Sequence, residues 1–284
     1  MRVVSGSYLV LFIPKLELLS RFDMRSLFLG ELTSEDVERI SSRTEMVLVP
    51  VGSFEQHGRH LPLAADSIIA FEVTKIVAER LSPKISVLVA PLVPLGKSTE
   101  HVSKAGTISL EGNVLADLLR SICKSLARDG FKKIVFVNGH GGNTNLLAAI
   151  LREIREETGA FVAAIYLYSE ELLKDALSRF KELGELDIFH ACALETSFMM
   201  TLRPELVHLE KASKETPSKF TQQAGYNWLL LTKKRGVEFS WLIDDLSKTG
   251  VIGDPTKATP EIGRIVLESL VSKICEVLRE IKKV

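Results

Sequence analysis

The stretch Ile134-Val-Phe-Val-Asn-Gly-His-Gly-Gly-Asn-Thr-Asn145 decides the fold. Its four leading apolar residues show no polar alternation, which predicts a short strand covered on both faces, Ile134 to Val137. Glycines then permit a sharp turn, and the amphipathic run from Thr144 opens a helix. Strand, glycine turn and helix in that order is the unit of a parallel α/β sheet. The turn offers backbone amides to an anion. No Lys-Ser/Thr pair follows and the spacing is not G-x-G-x-x-G, so it is neither a Walker A loop nor a dinucleotide fingerprint. What distinguishes it is His140, an imidazole among residues small enough to let a ligand approach; the plain alternative is a histidine packed in a turn.

Working outward, the same alternation recurs. Further strands are expected at Met46 to Val51, Val87 to Val93 and Phe161 to Leu167, all short and rich in β-branched residues. Helices are expected at Ser67 to Leu81, Asn113 to Ala127, Thr144 to Glu157, Glu170 to Leu183 and Pro260 to Ile281. This is an α/β chain with a mostly parallel sheet covered on both faces. No repeat, low-complexity tract or linker divides it, so residues 24–284 read as one domain, least regular between Arg203 and Gly253. Met24 could be the natural start, which makes residues 1–23 a possible extension. The segment after it reads as a beginning, with Thr33 or Ser34 capping a helix. The apolar run at residues 8–13 is far short of the roughly 20 residues of a membrane span, and no A-x-A site follows it. A cytoplasmic protein without membrane contact is expected.

The 284 residues carry 36 Lys+Arg against 36 Asp+Glu, which leaves no basic surplus to neutralise phosphates and argues against a nucleic-acid partner. Hydrophobic residues at 46% and charged residues at 25% exclude disorder. Three widely spaced cysteines, Cys123, Cys192 and Cys275, exclude a disulfide framework or zinc ribbon and suit a reducing interior. Only five Asn and three Gln stand among many charged residues, as a hot-living source would show.

The chemistry concentrates in three places. Residues 49–67, VPVGSFEQHGRHLPLAADS, follow a strand and carry Glu55, His57, His60 and Asp66, four metal-competent groups in twelve residues. Asp66 alone would pass for a helix N-cap. His140 is the second. The third is HACALETSFMM, residues 190–200, where His190 should precede a helix and Glu195 lie within it, facing a buried environment. A buried carboxylate needs a partner, either a metal or one of the basic residues. Ser98-Thr99-Glu100-His101 follows a strand where loops supply substrate contacts. Gly250 to Pro255 reads as a structural turn.

Together PVGSFEQHGRHLPLAADS, STEH, GTISL, VNGHGGN, HACALETS with LRPEL, and GVIGDP resemble the creatininase family of metal-dependent amidohydrolases, over nearly all of the chain from Met24. The resemblance implies a three-layer α/β/α sandwich, a dinuclear site of Zn, Mn or Fe with two divalent ions per chain, and a homo-oligomer, often a ring-like hexamer. Carried over by motif, Glu55, Asp66 and His140 would hold one ion, and His57 with the shared Asp66 the other. Creatininase completes the second site with a Glu two positions after the glycine-turn histidine. Here that position is Gly142, so Glu195 is the substitute. The activity implied is hydrolysis of a non-peptide C–N bond in a small cyclic amide or formamide by a metal-activated bridging hydroxide. His190 is the candidate acid/base, with His101 and Glu100 as substrate or shuttle groups.

Two departures stand out. The family often shows HAGE where this chain has His190-Ala191-Cys192-Ala193, so the role of that Glu is lost at Ala193. The aromatic residues expected around creatinine match no motif, since Trp228 and Trp241 lie in the irregular region. Creatinine is therefore the less favoured substrate. A formylaminopyrimidine nucleotide deformylase of archaeal flavin and deazaflavin synthesis is one alternative, which would need a phosphate pocket drawn from Arg59, Lys97 or Lys104. A peptidase that trims a modified peptide is another. A non-catalytic binding protein or scaffold on the same fold is the alternative of a different class, opposed by the filled ligand positions.

Overall fold

Strands β1 (Met46–Val51), β2 (Val87–Val89), β3 (Lys133–Asn138) and β4 (Phe161–Tyr166) pair in parallel in the order β2-β1-β3-β4. The structure is a computed structural model that describes residues 26–82, 84–232 and 236–284; the expected extension 1–23 lies outside them. Register sets Val47 opposite Ile134, Val51 opposite Asn138 and Ile134 opposite Val162. Every residue of β1 is buried, as an unalternating apolar strand requires. β2 is shorter than its apolar run, because Pro91 has no N–H for the ladder, and pairing resumes only as an isolated bridge between Val51 and Val93.

The helices are α1 (Ser34–Ile40), α2 (Ala65–Leu81), α3 (Gly112–Arg128), α4 (Thr144–Thr158), α5 (Glu170–Leu177), α6 (Ala193–Leu202), α7 (Ile243–Leu246) and α8 (Pro260–Lys283). Thr33 opens α1 with a capping box: its hydroxyl accepts from Asp36 N–H at 3.2 Å and its own N–H donates to the Asp36 carboxylate at 3.1 Å. α5 ends before Leu183, in a run of turns where the Ser178 hydroxyl donates to the Asp175 carbonyl at 2.9 Å.

α2 packs on β1 and β2 together with α6 and α8, while α3 packs on α4, which covers β4. Right-handed crossovers put the β1-to-β2 helix on one face and the two later crossover helices on the other. The result is the expected three-layer sandwich. The chain leaves β1 in one direction for β2 and reaches β3 on the opposite side, so the order reverses between β1 and β3. Ligands in open α/β sheets bind at the carboxyl ends of strands at such a switch point. Those ends are Val51 and Asn138, and the motif residues follow directly after each.

α8 buries Val266, Leu270, Ile274 and Leu278, one residue per turn, and crosses α6 closely at Gly263. A Cβ there would lie 2.0 Å from the Ser197 carbonyl oxygen and 2.3 Å from Thr201 Oγ1. The segment 203–253 is irregular, as expected, and has a small core of its own: Ile243, Leu246 and Ile252 with Leu186, Phe189, Phe220, Leu231 and Trp241 around them. Glu215 pins it, accepting from Ser247 Oγ at 2.7 Å, Lys248 N–H at 2.6 Å, Thr249 N–H at 2.9 Å and the Thr249 hydroxyl. Among the described residues no helix is long and apolar enough to cross a membrane.

Candidate metal centre

Asp66 lies at the middle of the site. α2 begins at Ala65 with Ala64 as its N-cap, so Asp66 sits inside the first turn and is not the cap its sequence position allowed. Its carboxylate points back toward β1 instead. Oδ2 accepts from Ser53 Oγ at 2.7 Å and lies 2.9 Å from His140 Nδ1, and Oδ1 lies 3.2 Å from His57 Nε2.

Each of these histidines commits one ring nitrogen to a backbone carbonyl and turns the other to Asp66. His57 Nδ1 donates to the Glu55 carbonyl at 3.1 Å, and His140 Nε2 donates to the Lys97 carbonyl at 3.0 Å. That pattern fixes tautomer and ring orientation, as around a metal ligand. The nitrogens left facing Asp66 need either a proton or a cation between lone pair and carboxylate.

Glu55 and Glu195 complete the cluster. Glu55 is fully buried and neither of its carboxylate oxygens has a hydrogen-bond partner. It lies 3.3 Å from His140 Nε2 and 3.5 Å from His101 Nε2. Glu195, in the first turn of α6, accepts from Ala191 N–H at 2.6 Å and lies 3.9 Å from His57 Nε2. Among the described residues, three triads each bring their candidate ligand atoms within 4.8 Å of one another: Glu55, Asp66 and His140; His57, Asp66 and Glu195; and Glu55, His57 and His190. The first two are the sets carried over by motif, and they share Asp66.

Burial pushes Glu55 up to about 7, despite His140 beside it, and burial pushes Glu195 up to about 8. Burial also opposes protonation of His57, yet Asp66 raises it to about 10. His140 rises to about 10 against the same burial, through Glu55 and Asp66. Asp66 is held well below the ordinary carboxylate range, burial being outweighed by His57 and His140. Buried carboxylates that lean toward protonation and imidazoles that gather protons mark a site built for positive charge. A fully buried Glu55 whose oxygens accept no hydrogen bond, with nitrogen and oxygen donors around it, fits divalent metal ions such as zinc or manganese.

His190 and His101 stack over the cluster with ring centroids 4.2 Å apart. Burial and neighbouring imidazoles hold both neutral, His101 at about 3 and His190 well below the ordinary histidine value. Trp241 meets His101 edge-on at 6.4 Å and Phe189 lies 6.0 Å from Trp241, so an aromatic wall borders the site after all. No motif announced it, because Trp241 comes from the irregular segment and Phe189 stands just before the HACALETS motif. Trp228 is 65% exposed and takes no part.

Glu100 is partly buried, 3.9 Å from Lys97 Nζ. A Cβ on Gly142 would come within 2.5 Å of His140 Nε2 and 2.6 Å of Glu100 Oε1. The glycine thus makes room for Glu100. His60 stands outside the triads, Nε2 2.9 Å from Thr196 Oγ1, and burial lowers it to about 4. His208 is exposed. Ala193 is buried at the start of α6.

Sequence reasoning passed over Ser53 and Gln56, which lie inside the quoted motif. Gln56 is buried and holds His101, His190 and Gly250 together. The signal was there: in a chain with three glutamines, one flanked by two candidate ligands stands out from idle surface. The turn at Gly250 is structural, as expected of it, and its carbonyl accepts from Gln56 at 3.0 Å. A cavity of about 320 Å³ lined by Asp187, Phe220, Gln222, Leu230, Asp254 and Lys257 contains none of the triad residues. Its Asp187 and Lys257 pair with each other at 2.6 Å.

A family model described as creatinine amidohydrolase matches residues 30–278. The chain belongs to the creatininase family. Among curated relatives of this creatininase-family hydrolase, the mycofactocin precursor peptide peptidase of Mycobacterium ulcerans is 33% identical, covering 89% of this chain and 92% of its own length. The creatinine amidohydrolase of Pseudomonas putida is 30% identical over 90% of this chain and 97% of its own. Among solved structures, a manganese creatininase superposes with a TM-score of 0.74 at 29% identity, over 90% of this chain and 98% of that one. A Zn-Zn type mutant creatininase gives 0.74 at 28% identity, with 90% and 98% covered. The creatininase fold carries manganese or zinc in those structures, consistent with the donor set here.

Proposed function

We propose that this protein is a dinuclear-metal amidohydrolase that cleaves a C–N bond in a small cyclic amide or formamide. The observation that carries the reading is Glu55, buried with neither carboxylate oxygen hydrogen-bonded, in a triad with Asp66 and His140 that shares Asp66 with the triad of His57 and Glu195. Glu55, Asp66 and His140 would hold one ion, and His57, Asp66 and Glu195 the other. Two such ions supply Lewis-acid activation of a water and of the scissile carbonyl.

The chain's own groups do the rest. Ser53 fixes the Asp66 carboxylate by donating to Oδ2. Backbone carbonyls of Glu55 and Lys97 fix the two ligand imidazoles. His190, neutral and 3.7 Å from Glu55 through Nδ1, is placed to take a proton and return it to the leaving nitrogen. His101 adds a second imidazole beside it, and Glu100 a carboxylate next to His140. Trp241 and Phe189 suit a flat amide-bearing group held against His101. A homo-oligomer, up to a hexamer, and a cytoplasmic location belong to the same reading.

A peptide amide is the second reading, favoured by the similarity to mycofactocin precursor peptide peptidases. The test begins with metal analysis: about two divalent ions per folded chain are expected, and Asp66→Ala should lose both while keeping its circular dichroism. A hydrolysis panel on the zinc- and manganese-loaded protein then compares creatinine, a formylaminopyrimidine nucleotide and short peptides. A folded chain that binds neither metal and hydrolyses nothing after metal addition refutes the reading, and cleavage confined to peptides replaces it with the second.

A further inference from the structure

Gln56 lies between two candidate ligands, and its own side-chain amide points across the site. The orientation of that amide is set by two backbone groups whose roles cannot change. Gly58 N–H can only donate, and it meets Oε1 at 3.0 Å. The Gly250 carbonyl can only accept, and it meets Nε2 at 3.0 Å. The close fit of this turn is enforced by Gly250 itself, at φ 88°, where a Cβ would stand 1.8 Å from Gln56 Oε1.

One of the two amide hydrogens therefore goes to Gly250. The other has two imidazole nitrogens in reach, His101 Nδ1 at 3.1 Å and His190 Nε2 at 2.8 Å. His190 Nε2 also lies 3.0 Å from the backbone carbonyl of Gln56, which can only accept. If His190 Nε2 is bare, that carbonyl faces a lone pair and His101 Nδ1 loses its donor. If His190 Nε2 carries the hydrogen, it donates to the carbonyl, and the remaining Gln56 hydrogen goes to His101 Nδ1. The second arrangement partners the Gln56 carbonyl, both Gln56 amide hydrogens and His101 Nδ1, with the 2.8 Å contact between Gln56 Nε2 and His190 Nε2 then carrying no hydrogen bond; the first leaves both the carbonyl and His101 Nδ1 without a partner, and two buried groups without partners weigh more than one strained contact.

We infer that Gln56 is a positioning residue that locks the tautomers of the two stacked histidines, leaving His101 with its hydrogen on Nε2, directed at Glu55, and His190 with a bare Nδ1. The two imidazoles then present opposite faces to the cleft. His101 offers an N–H, suited to donate to an oxygen that gains negative charge, and His190 offers a lone pair, suited to accept a proton. The lock itself is a property of the protein's hydrogen bonds; its use in hydrolysis rests on the function proposed above.

The test is long-range proton–nitrogen NMR of ring-labelled full-length protein, measured without metal and with zinc, with His101 and His190 assigned through H101N and H190N. Both should show a single tautomer with the hydrogen on Nε2. In Gln56→Met, His101 should lose its single-tautomer pattern, whereas His190, held by the backbone carbonyl, should keep it. Gln56→Glu, which supplies an acceptor, should move the His101 hydrogen to Nδ1. The wild-type spectrum alone overturns the inference if His101 carries its hydrogen on Nδ1 or His190 carries it on Nδ1 only. An unchanged His101 pattern in both folded variants overturns it as well. Zinc binding is read separately in the same samples, so failure of the metal reading is distinguishable from failure of the lock.

Discussion

Ala191 has φ 48°, a left-handed conformation that costs a non-glycine residue roughly 1–2 kcal/mol. What it gains is the direction of its N–H, which reaches Glu195 Oε2 at 2.6 Å and holds that carboxylate toward His57. Ala191→Gly should therefore keep metal binding and change stability by less than about 1 kcal/mol. Ala191→Val, β-branched at a fully buried position, should lose about 2 kcal/mol or more in urea titration, because strain and overpacking add. The ionisable groups permit a second prediction, for metal-free protein. Glu55 and Glu195, raised from 4.5, and His57 and His140, raised from 6.5, all make the folded chain hold protons more tightly than the unfolded chain. These contributions decline as pH rises, from 4.5 toward about 8 for the carboxyls and from 6.5 toward about 10 for the imidazoles. His60, His101 and His190, all lowered from 6.5, act in the opposite sense and cost stability as pH falls below 6.5, and Asp66 does so below 3.8. Melting temperature without metal should fall between about pH 6 and about pH 9, and zinc should restore most at the alkaline end; a flat profile would contradict the proposed balance. Residue types with distinctive chemistry, the histidines and acids of the motifs, are legible in the sequence by their own nature. Ser53 and Trp241 are not, since a serine or an aromatic takes its meaning from neighbours far away in the chain, and Gln56 shows only through the two candidate ligands that flank it.

At the scale of elements, the close crossing of α6 and α8 links a surface-spanning helix to the metal centre. α6 carries Glu195 in its first turn and presents the Ser197 carbonyl to Gly263 of α8. Gly263→Ala should push the helices apart, cost about 1–3 kcal/mol by overpacking, and weaken zinc binding measurably by calorimetry although residue 263 touches no ligand. Hydrophobic periodicity located every strand and the long helices, because burial on both sheet faces leaves an unbroken apolar run and amphipathic helices leave a 3.6-residue one. It misjudged the end of β2, where Pro91 interrupts pairing inside an apolar run, and the end of α5. It also missed how closely α6 approaches α8, which depends on a glycine that looks like any other in the sequence.

For the whole molecule, two cores of unequal size meet at the cleft. The loops after β1 and β3 and the first turns of α2 and α6 supply all five candidate metal ligands, while the small core of segment 203–253 supplies Trp241. That segment is held by Glu215 and by the pairing of Lys104 with Asp244 at 2.7 Å. Glu215→Ala should make this segment more susceptible to protease by about tenfold, since hydrogen bonds to a charged group contribute about 1.5–3 kcal/mol. Metal content should stay unchanged and the substrate KM should rise; simultaneous loss of metal would show that the two cores are not separable. The segment was the part least legible in sequence, because a core of three buried residues leaves no periodic pattern.

The ligands themselves come from distant places: Glu55 and Glu195 are 140 positions apart, with His140 between them. Bringing them together requires β1 to pair with β3 and α6 to dock on α2, contacts whose loop-closure cost must be met first. The metal pocket therefore does not exist in any short stretch of chain and cannot nucleate folding. Ions would arrive late, as guests of an already assembled sheet, and a chelator could take them away again and leave a folded protein behind.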